Sequence, residues 1–268
     1  MLLEGRTAVV SGIGPGMGRD ISLAFAREGA DLVLVGRSDR HMPVVAAEVE
    51  ELGRRAIQVQ ADVESAEDCA RVAQAVDAEF GPLDILVNSA FHGGRHELFE
   101  TANLDTWRRP LDVNYFGTLQ LTQSLLPALK LAGQERGDAR IVMINTMSVQ
   151  RIEEQSGSYV GSKSALAGAT KVLARELGAY GIRVNAVHPG YIWGDLVKVY
   201  FEMQAEERGD GTTWQDIYDE RAAETALKYL PHSSEIAGAV VFFASPLAKC
   251  VTGTSLPVNA GHWISSAS

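Results

Sequence analysis

The chain has 268 residues, of which 46% are hydrophobic and 22% charged, a composition that suits one large globular domain with ample core. Its formal net charge of −10, with no cluster of lysine or arginine, argues against non-specific binding to nucleic acid or to an anionic membrane surface. The two cysteines, Cys69 and Cys250, form no metal pattern and no disulfide framework, so reduced thiols in a cytoplasmic protein are expected.

Three further sequence features argue against a membrane or secreted protein, a metal site and a multidomain protein. No apolar run approaches the ~20 residues that a membrane helix needs, and strand-like sequence already begins at Thr7, so neither a span nor a signal peptide is expected. His92 and His96 are four residues apart, but the two glycines between them argue against a shared helix face, and no metal site is predicted. Without repeats or low-complexity linkers, residues 1–268 are expected to form a single domain.

The amino-terminal segment follows a strand, turn, helix, strand pattern. The apolar run 7–10 leads into a glycine-rich turn, an amphipathic helix that stops at Gly29, and a second apolar run at 32–35. Glycines let the backbone approach a pyrophosphate, and the helix amino terminus supplies N–H donors. The pattern predicts a dinucleotide site. The turn residues assigned to it are Gly12, Gly14, Gly16, Met17 and Gly18.

The end of the second strand bears on the choice of cofactor. An acidic residue there would bind the ribose hydroxyls of the adenosine and repel a 2′-phosphate. This chain instead has Arg37, which can pair with a 2′-phosphate, and Ser38, which can add a hydrogen bond. NADP(H) is therefore favoured, while nearby Asp39 and the possibility that Arg37 is a solvated loop charge keep NAD(H) open.

Alternation of strands and helices continues to the carboxyl end. Near-continuous apolar strands between amphipathic helices predict a parallel sheet covered by helices on both faces. Asp62 and Val63 lie at the carboxyl end of the third strand, where Asp62 can accept a hydrogen bond from the adenine amino group. Further strands are predicted at 56–60, 84–87, 140–144 and 181–187, and helices at 44–52, 65–80, 104–132, 159–180 and 234–244.

Tyr159 and Lys163 share one face of a predicted helix, about one turn apart. A free phenol has a pKa near ~10 and is a poor acid-base catalyst at neutral pH. A fixed cation beside it favours the phenolate and lowers that pKa. The spacing suits a proton-transfer pair, although a single pair of this kind is also ordinary on a helix surface.

Six landmarks in this order resemble the short-chain dehydrogenase/reductase family over essentially the whole chain. The resemblance implies an α/β protein: a single-domain Rossmann fold with a doubly wound seven-stranded parallel sheet. It also implies hydride transfer between a nicotinamide cofactor and a small-molecule carbonyl or alcohol. The landmarks are the glycine turn, Asp62, the strand tip at Asn88, Asn114, the Tyr159/Lys163 pair and Pro189-Gly190.

The resemblance implies a role for each catalytic residue. Tyr159 is the general acid in reduction and the base in oxidation, while Lys163 lowers the pKa of Tyr159 and binds the nicotinamide ribose. Asn114 holds a water that links Lys163 to solvent, unless it is a mid-helix asparagine that faces solvent. The family's substrate-binding serine, thirteen residues before the tyrosine, corresponds to Thr146, and Ser148 is the alternative if the loop is rearranged.

Cofactor contacts are also carried over from the family, with departures. The strand tip has Phe91 where the family has glycine, and this ring is expected to narrow the channel or contact substrate. Gly194 stands where the family has a threonine that binds the nicotinamide carboxamide, so the backbone of Ile192 is expected to hold that group. The remaining contacts are assigned to Asn88, Ser89, Ala90, Pro189 and Gly190.

Residues 191–230 form a connection longer than the family's and are expected to be a helical substrate lid. Thr213 and Asp216 resemble a capping box that opens the second helix of a hairpin. Its aromatic side chains predict a bulky apolar or aromatic substrate, or else they pack the hairpin onto the domain or a second subunit. These side chains are Trp193, Tyr200, Phe201, Trp214 and Tyr218.

Two expectations are open between alternatives: the oligomeric state and whether the protein is an enzyme. Small residues Gly161, Ala165 and Ala169 permit close helix packing, and the resemblance implies a homotetramer or homodimer. A non-catalytic nucleotide-binding or regulatory protein on the same fold is the alternative to an enzyme. The tail, residues 265–268, is expected to be frayed.

Overall fold

Seven parallel strands form the central sheet of the computed structural model, which describes residues 1–264. The strand order is β3-β2-β1-β4-β5-β6-β7. From β1 the chain adds β2 and β3 on one side, and then β4 to β7 on the other side. This switch between β1 and β4 opens a crevice at the carboxyl ends of these two strands. The predicted seven-stranded parallel sheet is confirmed. The strands are β1 (Thr7–Ser11), β2 (Asp31–Gly36), β3 (Ala56–Gln60), β4 (Ile85–Asn88), β5 (Ala139–Ile144), β6 (Ile182–Pro189) and β7 (Ser255–Val258).

Helices cover both faces of the sheet. Helices α1, α2 and α9 contribute to the core on one face, and α3, α5 and α6 to the core on the other. The doubly wound arrangement is therefore confirmed. The helices are α1 (Met17–Arg27), α2 (Met42–Glu51), α3 (Ala66–Glu79), α4 (Asp105–Leu111), α5 (Thr118–Arg136), α6 (Gly157–Leu177), α7 (Asp195–Arg208), α8 (Trp214–Glu224) and α9 (Ser233–Ala244).

The apolar strands follow from this two-sided cover. Successive side chains of a strand point to opposite faces, so a strand buried on both faces is apolar throughout. In β1, Val10 packs into the first core and its neighbour Val9 into the second, and all five residues of the strand are buried.

The helix predicted over 104–132 is interrupted. Helix α4 ends at Leu111, a π-helical segment spans Asp112–Gly117, and α5 continues to Arg136. Pro110 lies inside α4 and has no N–H to donate, and the hydrogen-bond ladder widens directly after it. The interruption places Asn114 within the π-helical segment.

Helices α7 and α8 form the predicted hairpin. The capping box is present: the Thr213 hydroxyl accepts from the Asp216 N–H, and the Asp216 carboxylate accepts from the Thr213 N–H. The hairpin has a small core of its own around Phe201, Ile217 and Leu230. The tail at 265–268, predicted to be frayed, lies outside the described residues.

The aromatic rings of the hairpin contact one another. Trp193 stacks on Trp214 with ring centroids 5.7 Å apart and meets the ring of Tyr218 edge-on at 4.6 Å. Tyr200 and Phe201 lie 6.1 Å apart, centroid to centroid. Of the two roles considered for these rings, packing of the hairpin is the one that their contacts support.

Candidate active site

The candidate catalytic residues meet above the carboxyl ends of β4, β5 and β6. Thr146 follows β5, Pro189 ends β6, and α6 begins beside them and carries Tyr159 and Lys163 on consecutive turns. Because the carboxyl ends of parallel strands lie along one edge of the sheet, residues far apart in sequence become neighbours here.

Of the two candidates, Thr146 is the one whose hydroxyl lowers the pKa of the Tyr159 phenol. Thr146 begins a short 3₁₀ turn, and its hydroxyl accepts from the Ser148 N–H at 3.2 Å. The Thr146 hydroxyl also donates to the Ser148 hydroxyl at 3.1 Å. Burial raises the pKa of the Tyr159 phenol, and the effect of the Thr146 hydroxyl opposes that rise.

Lys163 is 2% exposed, and its Nζ donates to the Ile144 carbonyl oxygen at 2.8 Å. Burial lowers the pKa of Lys163 to about 7. The expectation that a lysine cation lowers the pKa of Tyr159 is therefore incomplete for the ligand-free protein. Burial acts on both groups in favour of their neutral forms, and Lys163 exerts its effect on the phenol only while it is protonated.

Asn114 is fully buried and does not face solvent. Its Oδ1 accepts from the His92 N–H at 2.7 Å, and its Nδ2 donates to the His92 carbonyl oxygen at 2.9 Å and to Ser162 Oγ at 2.9 Å. The side chain thus joins the segment after β4 to α6, one residue from Lys163. Sequence reasoning missed His92 as its partner, since the contact uses only main-chain atoms of that residue.

The glycine turn has the shape that a dinucleotide site requires. Gly12 has a φ of +82°, and a Cβ there would lie 2.5 Å from the Ala90 nitrogen, so only glycine fits. A Cβ at Gly14 or Gly16 would meet no atom of the described chain within 4 Å, so this side of the turn is open. Ser11 Oγ supports the adjoining strand tip by accepting from the Ser89 N–H at 3.2 Å.

A cavity of about 510 Å³ lies beyond the second and third strands. Arg37 and Asp62 both line it, which brings together two residues that the sequence assigned to the adenosine end of a cofactor. Asp62 Oδ1 accepts from the Glu64 N–H at 3.0 Å, and the side chains of Arg37 and Ser38 are exposed.

The other predicted cofactor-contact residues differ in their burial and in the direction of their side chains. Asn88 directs its side chain into the protein, where Nδ2 donates to Thr122 Oγ1 at 3.0 Å, so it supports the strand tip rather than facing the cleft. Gly190 packs so closely that a Cβ would lie 2.9 Å from Asn259 Cβ. Val63 and Ser89 are buried, Ala90 and Ile192 are half-buried, and Met17 begins α1.

Comparison with known proteins identifies the family. A family model described as Enoyl-(Acyl carrier protein) reductase matches residues 12–262. A galactitol 2-dehydrogenase (L-tagatose-forming) from Cereibacter sphaeroides is 35% identical over 267 residues, which cover 98% of this chain and 96% of the relative. The chain belongs to the short-chain dehydrogenase/reductase family.

Solved structures of similar dehydrogenases and reductases share the fold. A carveol dehydrogenase from Mycobacterium avium in complex with NAD has a TM-score of 0.90 at 26% identity, covering 97% of this chain and 98% of that one. An L-sorbose reductase from Gluconobacter frateurii in complex with NADPH and L-sorbose has a TM-score of 0.89 at 28% identity and covers 98% of each chain.

The residues of this short-chain dehydrogenase/reductase fit a nicotinamide dinucleotide. The open side of Gly14 and Gly16 leaves room for a pyrophosphate, and the N-cap of α1, Gly16, makes no side-chain hydrogen bond to the first N–H groups of the helix. The cavity between Arg37 and Asp62 lies where the adenosine end would follow. Among residues 1–264, no group of three or more His, Cys, Asp or Glu is arranged to hold a metal ion, and no helix is long and apolar enough to cross a membrane.

Sequence reasoning missed a polar cluster, the Arg151 cluster, between the catalytic turn and the α7–α8 hairpin. The contacts that join its separate segments link residues 38, 73 and 111 positions apart in the chain, so no local pattern brings these segments together. Its members are Arg151, Glu153, Tyr191, Arg221, Glu224 and His262.

Proposed function

We propose that this protein interconverts a carbonyl compound and a secondary alcohol with a nicotinamide dinucleotide, using Tyr159 as the general acid and base. The observation that carries the proposal is the grouping of three side chains at the end of β5. The Thr146 hydroxyl lowers the pKa of the Tyr159 phenol, and Lys163 is buried one turn along α6 with its Nζ hydrogen-bonded to the Ile144 carbonyl oxygen. Two hydroxyls and an ammonium at one edge of the sheet are the groups that carbonyl reduction needs.

In reduction, the carbonyl oxygen of the substrate accepts hydrogen bonds from the hydroxyls of Tyr159 and Thr146. The bound nicotinamide supplies the hydride in this direction and takes it up in the reverse one. As negative charge develops on the substrate oxygen, Tyr159 transfers its proton to it, and Thr146 stabilises the charge. In oxidation, the Tyr159 phenolate removes the proton of the alcohol.

Lys163 supports the acid–base role of Tyr159 when the lysine is protonated. Its ammonium favours the phenolate that remains after proton transfer, and it is also assigned to the nicotinamide ribose. Asn114 holds α6 and the segment after β4 in register through His92 and Ser162, which fixes the turn that carries Lys163. A water between Asn114 and Lys163 remains a prediction.

NADP(H) is the proposed cofactor, with NAD(H) as the alternative. Arg37 is exposed beside the cavity and is free to pair with a 2′-phosphate, and Ser38 adjoins it. Among the similar structures, one holds NAD and another NADPH, so both forms occur on this fold.

Residues 191–230 are proposed as the substrate lid of a single domain spanning the chain. The prediction of a bulky apolar or aromatic substrate loses its structural argument, because the rings that suggested it pack against one another. Relatives named for galactitol, L-sorbose and carveol span both polar and apolar substrates.

A homodimer or homotetramer is proposed through α5 and α6. Phe116, in the π-helical segment just before α5, is 56% exposed, and Val172 on α6 is 54% exposed. The small residues Gly161 and Ala165 also lie on α6. Light scattering in solution measures the mass, and a monomer would contradict this assignment. A cytoplasmic location stays a prediction from the two free cysteines, Cys69 and Cys250.

Turnover across a panel of carbonyl compounds tests the proposed reaction. Wild type is expected to oxidise NADPH in the presence of at least one member, and Tyr159→Phe to lose about 10²–10⁴-fold in rate while still binding NADPH. Equal activity of the two proteins would overturn the role of Tyr159. A wild type that binds NADPH but turns over nothing would favour the non-catalytic alternative.

A further inference from the structure

The Arg151 cluster lies one turn beyond Thr146 and closes the space between three segments of the chain. Arg151 is on the turn that Thr146 begins, and its N–H donates to the Met147 carbonyl oxygen at 2.9 Å. Glu224 is on α8 of the hairpin, and His262 follows β7. The main chain therefore joins Arg151 directly to the turn that carries Thr146.

The contacts of the cluster join all three segments. The guanidinium of Arg151 lies 3.2 Å from Glu153 Oε1, 2.8 Å from His262 Nε2 and 2.6 Å from Glu224 Oε2. The Tyr191 hydroxyl donates to Glu153 Oε2 at 3.1 Å, immediately after Gly190 at the end of β6. The cluster therefore borders the catalytic turn, the start of the hairpin and α8 at the same time.

Charge balance within the cluster indicates the class of ligand. Arg151 and Arg221 face Glu153 and Glu224, so two cations offset two carboxylates. Such a site has no net attraction for an anion or a cation. A neutral molecule with several hydroxyls fits it, because each hydroxyl can donate to a carboxylate and accept from a guanidinium.

Hydrogen-bonding capacity remains unused beside these pairs. His262 is 6% exposed, and its Nδ1 is buried with no hydrogen-bond partner among residues 1–264. The same holds for Arg221 Nε and for Gln204 Oε1 on α7. These three atoms are enclosed by protein, whereas the side chains of Arg151, Glu153 and Glu224 are 27%, 37% and 34% exposed. A ligand can therefore reach the guanidinium and the two carboxylates, and an apolar ligand against them would leave part of their hydrogen-bonding capacity unsatisfied.

We propose that the Arg151 cluster selects a polyhydroxy substrate, a polyol or its ketose, with Arg151 and Glu153 as specificity-determining residues. This inference rests on the proposed oxidoreductase function and names the substrate class of the same site. Side chains that hydrogen-bond substrate hydroxyls discriminate strongly against analogues that lack them, because the protein groups are then left unpaired.

The test compares galactitol with cyclohexanol, an alcohol of the same carbon count, by kcat/KM at saturating NADP⁺ and at saturating NAD⁺. Wild type is expected to favour galactitol by at least ~100-fold. Glu153→Gln and Arg151→Met are expected to reduce that preference at least ~10-fold, because kcat/KM for galactitol falls while kcat/KM for cyclohexanol is unchanged. Arg55→Met and Glu79→Gln remove an exposed ion pair outside residues 191–230 and are expected to leave the preference unchanged.

Calorimetry of galactitol binding to Tyr159→Phe loaded with cofactor separates the two proposals. Galactitol binding that weakens at least ~10-fold with Glu153→Gln supports the inference even if no alcohol is turned over, in which case only the proposed reaction fails. Tyr159-dependent turnover with cyclohexanol preferred, or with the preference unchanged in both cluster variants, overturns the inference and leaves the reaction standing. Absence of galactitol binding also overturns it.

Discussion

Lys163 shows how a single buried residue links catalysis to stability. Its ammonium has one described hydrogen bond, to the Ile144 carbonyl oxygen, and burial holds its pKa at about 7. In the unfolded chain, a lysine has a pKa near ~10.4. Between these two values the unfolded chain binds more protons than the folded one, so the contribution of Lys163 to stability becomes more favourable as pH rises.

Lys163→Met is therefore expected to stabilise the ligand-free protein most below pH 7. The advantage should shrink as pH rises, with a limiting slope of about 1.4 kcal/mol per pH unit between the two pKa values. Denaturant unfolding at pH 6 and pH 9 measures it, with the exposed Lys171→Met on the same helix as control. An equal difference from wild type at both pH values would contradict the buried, shifted Lys163.

Thr146 and Ser148 are distinguishable by their hydroxyls. Thr146→Ala is expected to lower kcat/KM about 10²-fold, because the substrate oxygen loses a donor, whereas Thr146→Ser should stay within a few-fold of wild type. Ser148→Ala should have the smaller effect, since that hydroxyl acts through Thr146. Steady-state kinetics decides the assignment, and a larger loss for Ser148→Ala would reverse it.

Sequence reasoning predicted the candidate residues that a short spacing defines. The i, i+4 spacing predicted that Tyr159 and Lys163 share a helix face. The family resemblance, counted back thirteen residues from Tyr159, indicated Thr146. Sequence reasoning did not reach the pairing of Asn114 with His92 or the Arg151 cluster. Those contacts depend on main-chain atoms or on segments that only the finished fold brings together.

Among the elements, the α7–α8 hairpin depends on local capping as well as on its rings. The capping box at Thr213 satisfies N–H groups at the start of α8. Thr213→Ala is expected to cost about 1 kcal/mol in that helix and to speed amide hydrogen exchange in α8, while α6 is unaffected. Thr212→Ala is the control, and equal exchange in both variants would contradict the role of the cap.

Strands were easier to predict than the interrupted helix. Strands β1 and β4 are short, mostly apolar runs whose residues are all buried, so their composition marks them directly. The break between α4 and α5 is partly tertiary, because Gly117 fits against Val63 so tightly that a Cβ would lie 2.7 Å from a methyl carbon. Periodicity over 104–132 carries no sign of that contact.

For the whole molecule, cofactor choice is the property that Arg37 is expected to control. Arg37→Asp should weaken NADPH binding at least ~10-fold and leave NADH binding unchanged or tighter, because a carboxylate repels the 2′-phosphate. Binding constants and the shift in unfolding temperature with each cofactor measure this. Lys249→Asp gives the same charge change at a distant exposed position, and an equal effect from it would attribute the result to net charge.

The central claim is hydride transfer with Tyr159 as the acid, and an isotope measurement tests it most directly. NADPH, or NADH if it binds tighter, carries deuterium at both C4 positions of the nicotinamide, and the alcohol formed from the best carbonyl substrate is analysed by mass spectrometry. We expect one deuterium on the carbinol carbon per turnover in wild type, and product formation at least ~100-fold slower in Tyr159→Phe with cofactor binding retained. Product without deuterium, or a wild-type rate in Tyr159→Phe, would contradict the claim.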